Sequence, residues 1–246
     1  MSFLKNILGR VFAVWAALAF CLTLLLVLLP IWALGLFPEP RRSRLFQPII
    51  QVWMGIFFFL TGVRRSYKGR KNFKKGEAYV IVCNHRSYMD PPLSSPGIPT
   101  ANKTIAKSEM LKIPLFSIIY RRGSVLVNRK SEESRKASYV RMRDVLTRLN
   151  LHMCIYPEGT RNRGTETFGR FHDGAFRLAI ETGKSMIPAL IFHSEKVLPN
   201  DKGLFFWPHR VAMHFLPPIS PAGKTTDQLR DEVHAVMKAY YENTKA

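Results

Sequence analysis

Ala78-Tyr79-Val80-Ile81-Val82-Cys83, followed without a break by Asn84-His85-Arg86-Ser87-Tyr88-Met89-Asp90, is the stretch on which the architecture turns. An almost wholly apolar run of this length, rich in β-branched residues, reads as a strand buried on both faces. That is the condition of a strand in a sheet covered by helices on each side. The polar cluster at its end is then presented at a sheet edge, where open α/β sheets gather ligands.

Outward from this stretch the same grammar repeats. Strand-like runs fall at residues 104–107, 124–127, 153–156, 186–192 and 211–216. Helical periodicity falls at 132–149, with Ser131 as a cap and acids in the first turn, at 173–181 before Gly183, and at 226–241. Residues 90–99, rich in Pro, Ser and Gly, read as a connector. Strands alternating with helices predict an α/β fold, a mixed sheet with flanking helices.

Toward the N-terminus the character changes. Residues 11–38 carry no charged side chain, long enough for a helix to cross a hydrocarbon core about 30 Å thick. A cleaved signal peptide is the alternative, but the run is longer than the usual ~7–15 residue core and lacks a clear small-x-small site. A second charge-free stretch spans residues 45–63. Together the two predict a membrane-embedded helical pair over residues 1–67, ahead of an α/β body over 68–246. A full hairpin and a re-entrant or interfacial pair are both open. Arg41, Arg42 and Arg44 in the connector disfavour translocation and tilt the choice to the second, with Pro30 and Pro38 bending the first helix. The densely basic segment 64–75 is placed to dock on acidic lipid. Removal of the residues before Lys68 is expected to release the body from membranes, leaving salt-sensitive binding.

Composition agrees. Lys and Arg number 37 against 17 Asp and Glu, a formal charge of +20, which implies an anionic partner. The three cysteines include no Cys-x-x-Cys pair, so a disulfide framework or zinc site has no basis and a cytosol-facing body is the simpler reading.

The chemistry lies at the strand ends. His85 and Asp90 are five apart, too far round a helix to face each other; on the pattern alone they read either as a merely structural turn or as a tight turn in which the carboxylate accepts from one imidazole nitrogen and leaves the other as a base. Tyr156-Pro157-Glu158-Gly159-Thr160-Arg161 follows another strand, where Arg161 offers a rigid fork for a phosphate. Glu158 is expected to orient Arg161 or a base, or to hold the acceptor hydroxyl. Gly123-Ser124-Val125-Leu126-Val127-Asn128-Arg129 brings a further Arg to a strand end, and Lys107 ends one as well.

These segments resemble the signatures of the glycerolipid acyltransferases. Asn84, His85 and Asp90 match the first, Gly123 and Arg129 the second, and Glu158, Gly159, Thr160 and Arg161 the third. Ile187, Pro188 and Leu190 match the fourth, while Leu126 departs from the aromatic common at its position. The resemblance covers roughly residues 75–192. It implies acyl transfer from acyl-CoA or acyl carrier protein to the sn-2 hydroxyl of 1-acyl-sn-glycerol-3-phosphate, giving phosphatidic acid. His85 would be the base, Asp90 its orienter, and no acyl-enzyme would form. Asn84, Lys107, Gly123, Arg129, Glu158, Gly159, Thr160 and Arg161 form the expected substrate-binding set, and backbone N–H groups of a turn are expected to hold the oxyanion. No cofactor or metal is expected. The expected partners are anionic membrane lipid, lysophosphatidic acid and the acyl donor, at a membrane with the catalytic body facing the cytoplasm. Glycerol-3-phosphate or another lyso-lipid is the nearest alternative acceptor. A membrane-tethered hydrolase and a basic nucleic-acid-binding anchor are rivals of other classes; the second lacks any recognisable interleaving of aromatic and basic residues, so nucleic acid is not an expected partner.

Overall fold

The computed structural model describes residues 3–244. Seven strands form one sheet: β1 Arg64–Lys68, β2 Val80–Cys83, β3 Asn102–Lys107, β4 Ser124–Val127, β5 His152–Ile155, β6 Met186–Phe192 and β7 Arg210–Phe215. Their order is β1-β7-β6-β2-β5-β3-β4. Every neighbouring pair is parallel except β6 and β7. The mixed sheet with flanking helices is therefore as the sequence implies. Because β2, β5, β3 and β4 run the same way, residues just beyond Cys83, Ile155, Lys107 and Val127 all emerge on one edge of the sheet. Parallel topology is what gathers the four sequence segments.

Helices cover both faces. On one lie α5 Glu132–Thr147, α6 Gly174–Thr182 and α8 Thr226–Asn243, packed over Val80, Val82, Met153, Met186, Leu190 and Phe192. The Ser131 hydroxyl accepts from Ser134 N at 3.1 Å, α6 ends at Gly183 with φ +63°, and α8 opens with a Thr225–Gln228 capping box. On the other face lie α1 Phe3–Ala33, α2 Arg41–Leu60, α3 Asp90–Gly97 and α4 Phe116–Gly123, packed over Ile81, Cys83, Cys154, Ile187, Ile191 and Met213. A short helix α7, Ser194–Val197, follows β6.

The N-terminal pair is thus one layer of the core. α2 lies over α3, joined by the buried Gln47, whose amide donates to Ser95 O at 3.0 Å and Ile98 O at 2.8 Å and accepts from Asn102 at 2.9 Å. α1 runs antiparallel outside α2: Trp15 Nε1 donates to Leu60 O at 2.8 Å and Trp53 Nε1 to Thr23 Oγ1 at 3.0 Å. Over most of its length its inner face is small, with Gly9, Ala13, Ala16, Ala19 and Thr23, before Leu24 and Ile31 are buried toward its end. That narrow face lets the helices approach closely and leaves large side chains such as Leu22, Leu26, Leu29 and Trp32 outside.

Three expectations change. α1 passes through Pro30 without a break, and Pro38 lies in the connector. Residues 90–97 form a helix instead of a connector. Pro91 and Pro92 occupy its first turn, where a missing N–H costs nothing. The basic segment 64–75 supplies β1, paired with β7 across the expected boundary at residues 67 and 68. Helix α4 carries no strong sequence signal and was not anticipated.

Candidate active site

β2 ends at Cys83 and the chain turns through Asn84 into a loop whose far end is the first residue of α3. This turn brings His85 Nδ1 to 2.7 Å from Asp90 Oδ2. The same oxygen accepts from the backbone N–H groups of Arg86 and Ser87, each at 2.8 Å. Asp90 is fully buried, so its position is fixed from three directions. With Nδ1–H donated to the carboxylate, Nε2 keeps the lone pair, the tautomer a general base needs.

The loop after β5 packs beside this turn. Glu158 is buried, with Oε1 accepting from His85 N at 2.8 Å and Oε2 from Gly169 N at 2.7 Å. Burial pushes its pKa upward, partly countered by the bonds from Gly169 and His85. The two loops are joined again by Asn162 N donating to His85 O at 2.7 Å. Gly159 adopts φ +69°, a conformation costly for other residues, and its carbonyl accepts from the Arg129 guanidinium. Arg161 lies with its guanidinium 3.4 Å from the centroid of the Tyr88 ring and donates to Asn200 Oδ1, while the Asn200 amide donates to Arg86 O.

The structure therefore brings His85, Asp90, Arg129, Glu158, Gly159 and Arg161 to one edge, with exposed Thr160 beside them and exposed Lys107 at the end of β3. Other members of the expected binding set have different work. The Asn84 amide is buried and engaged both ways with the Ile191 backbone, donating to its O at 2.9 Å and accepting from its N at 2.7 Å. It staples β2 to β6 and presents no group to a ligand. Gly123 sits at the opposite end of β4 from Arg129, against the Phe46 ring, so it admits α2 to the sheet. Glu158 serves the loops through both oxygens instead of facing a cleft.

Neither nearby nucleophile is poised. The Ser87 hydroxyl donates to Leu198 O at 2.8 Å and accepts from Met89 N at 3.1 Å. The Cys83 thiol is buried 3.8 Å from the Cys154 sulfur, and burial raises its pKa well above the ordinary thiol range. Sequence reasoning missed Tyr88, Asn200, Tyr156 and Ser94. Asn200 lies 114 positions from its partner Arg86, and nothing in Leu198-Pro199-Asn200-Asp201 signals the pairing.

An imidazole aimed by a buried carboxylate, with guanidinium groups on the adjoining loops, can take a proton from a bound substrate beside an anion site, and the match to a transferase family makes the class a group-transfer enzyme. The transferred group follows from comparison with known proteins: the chain belongs to the acyltransferase family, whose model matches residues 64–192, from the first residue of β1 to the last of β6. It is 32% identical over 140 residues to a 1-acyl-sn-glycerol-3-phosphate acyltransferase of Borreliella burgdorferi, a match covering 56% of this chain and 55% of that protein. It is 27% identical over 216 residues to the enzyme of the same description from Haemophilus influenzae, covering 86% of this chain and 85% of that protein. The crystal structure of the 1-acyl-sn-glycerophosphate acyltransferase from Thermotoga maritima superposes with a TM-score of 0.80 at 22% identity. It covers 98% of both chains and establishes the fold.

Proposed function

We propose that this acyltransferase moves a fatty acyl group from a thioester donor, acyl-CoA or acyl carrier protein, to the sn-2 hydroxyl of 1-acyl-sn-glycerol-3-phosphate, forming phosphatidic acid. The observation that carries the reading is the 2.7 Å His85–Asp90 contact beside the guanidinium-bearing loop of Gly159 and Arg161. His85 Nε2 takes the hydroxyl proton as the acceptor oxygen attacks the thioester carbonyl. The imidazolium is held by Asp90, and such general-base assistance is typically worth ~10²–10⁴ in rate. The tetrahedral intermediate collapses, the C–S bond breaks, and the proton on Nε2 passes to the leaving thiolate. Engagement of Ser87 and burial of Cys83 favour this direct transfer over an acyl-enzyme. Arg161, with Arg129 and Lys107, neutralises the acceptor phosphate and so places its hydroxyl.

The body works at a membrane surface. Two helical stretches, Phe3–Leu36 and Arg41–Leu60, are long and apolar enough to cross a bilayer. Both ends of α1 nevertheless touch the body. Near its start Gly9 O accepts from Phe206 N at 3.0 Å, and beyond its end Gly35 meets the Arg122 guanidinium. A helix held at both ends favours lying within one leaflet, its outer apolar face in lipid, over crossing the bilayer. Arg41, Arg42 and Arg44, which form the first turn of α2 instead of lying in the connector, keep that end of the helix, and with it the catalytic body, on the cytoplasmic side.

The test is acyl transfer by purified protein, crossing 1-acyl-glycerol-3-phosphate, glycerol-3-phosphate and neutral lyso-lipids with both donor types. Strong preference for the first acceptor is the expected result. Preference for glycerol-3-phosphate or a zwitterionic lyso-lipid overturns the acceptor assignment, and hydrolysis without transfer overturns the reaction.

A further inference from the structure

The His85 imidazole has a second neighbour that the acid–base description leaves out. The Tyr156 ring lies against it with centroids 4.3 Å apart and planes 27° from parallel. Tyr156 is only 9% exposed, and its hydroxyl is 2.8 Å from that of Ser94, which is fully buried. Ser94 stands four residues after Asp90 in α3, so the two side chains rise from the same face of one helix. A helical serine commonly returns its hydroxyl to a carbonyl of the preceding turn. Here it reaches across to the phenol.

We propose that Ser94 and Tyr156 are positioning residues for acyl transfer, so that α3 holds the catalytic imidazole twice: by its edge through Asp90 and by its face through the Ser94–Tyr156 pair. This rests on the reading of His85 as the base. An Asp90 bond alone fixes one ring nitrogen but leaves the ring free to tilt about it. The stacked phenol removes that tilt and fixes the line along which Nε2 meets the acceptor hydroxyl. It also acts on charge. The face of an aromatic ring is electron-rich and attracts a cation. Its attraction for His85 therefore grows as the imidazole takes up the proton, an interaction stronger in the transition state than in the ground state, which is the kind that raises kcat. Of the titratable and charged groups nearby, Asp90 from α3 bonds the ring, Glu158 beyond β5 accepts from the His85 backbone, Cys83 and Cys154 act on Tyr156, Arg86 follows in the loop and Arg161 is held over Tyr88. All are untouched in the variants that follow.

Tyr156→Leu keeps an apolar wall and removes the aromatic face. Tyr156→Phe keeps the face and removes the tether, and Ser94→Ala removes the tether from the other side. The full chain is purified in detergent, circular dichroism confirms folding, and kcat, acceptor KM and the pH–rate profile are measured with the best-used lyso-lipid and thioester. The seven histidines are ¹⁵N-labelled, the His85 signal is assigned by its absence from His85→Gln, and its titration is followed directly. Tyr156→Leu is expected to lower kcat about ten-fold with acceptor KM changed less than about two-fold. It should also move both the acid limb of the rate profile and the His85 titration midpoint to lower pH by about 0.5–1 unit. Tyr156→Phe and Ser94→Ala should lower kcat about two- to five-fold without moving the midpoint. A folded Tyr156→Leu whose midpoint and kcat match the unaltered protein overturns the proposal. Should that variant not fold, Ser94→Ala with unchanged kcat overturns it. His85→Ala is run beside them: retention of kcat there defeats the base reading itself, whereas loss of kcat there with no effect at Tyr156 defeats only the clamp.

Discussion

Asp90→Asn separates the charge of the orienting carboxylate from its geometry. In the unaltered protein one oxygen accepts from His85 Nδ1, Arg86 N and Ser87 N, while the other is buried with no hydrogen-bond partner among the described residues. An asparagine placed there has its orientation dictated by the two backbone N–H groups. They require the amide oxygen where Oδ2 now lies, and the amide NH₂ then falls in the unpartnered position. The Nδ1–H donation survives, so the tautomer of His85 is kept and only the negative charge is lost. Unit charges about 4 Å apart at an effective dielectric of about 20 interact by about 4 kcal/mol, equivalent to about three decades in rate. With His85 as the proposed base, its imidazolium would be only partly formed at the transition state, so kcat should fall by about 10²–10³ with acceptor KM within a few-fold. Asp90→Ala loses charge and aim together and strands two buried donors at about 1–3 kcal/mol each, so it should be both slower and less stable. Steady-state kinetics and denaturation of the two variants decide the matter. Asp90→Asn within ten-fold of the unaltered kcat, or indistinguishable from Asp90→Ala in both rate and stability, refutes the reasoning.

Arg161→Ala should act chiefly on acceptor KM, and Arg161→Lys should recover little because an ammonium cannot reproduce the guanidinium fork or its stacking on Tyr88; a defect confined to donor KM would move this side chain to the donor phosphate. Stability should decline in mild acid. Burial holds the His152 pKa at about 4 against an ordinary 6.5, the neutral ring accepting Tyr79 N–H at 3.1 Å, so the unfolded chain binds the proton first. The stabilisation is complete above pH 6.5, is lost as pH falls toward 4 and changes no further below, about 3 kcal/mol in all; His214, shifted the same way by burial, deepens the same window. Denaturation midpoints at pH 7, 6 and 5 check this, and an unchanged slope in His152→Gln would assign the loss elsewhere. Removing residues 1–63 should yield aggregated protein instead of a soluble body with salt-sensitive membrane binding. It strips Phe46, Ile50, Trp53, Phe57 and Phe58 from the core and breaks the Gln47 bonds to α3, and recovery of a monodisperse folded truncation by gel filtration would contradict that dependence.

What the sequence determined by itself was whatever is written locally. Residues 80–83 and 186–192 are apolar without interruption because both faces of those strands are covered, and 132–147 carries its own cap and its own stripe. The His85–Asp90 contact spans one turn, so it was within reach of the sequence, where the spacing left a structural turn open and the family resemblance pointed to the pair. Tertiary structure decided what long-range pairing controls. Parallel alignment of β2, β5, β3 and β4 brought the strand ends to one edge and left Gly123 at the other. Pairing of β2 with β6 turned Asn84 toward Ile191, and packing of the loop after β5 turned Glu158 toward two backbone N–H groups, because a buried polar group takes the partner that satisfies it. A hydropathy profile separates the N-terminal helices from the body, since it registers only that they are apolar. It cannot register that the small face of α1 closes on α2, that α2 closes on α3, or that α3 carries both the carboxylate that bonds the His85 imidazole and the serine that bonds the tyrosine stacked on it. Those contacts depend on which faces meet, and that is settled only when the whole chain folds.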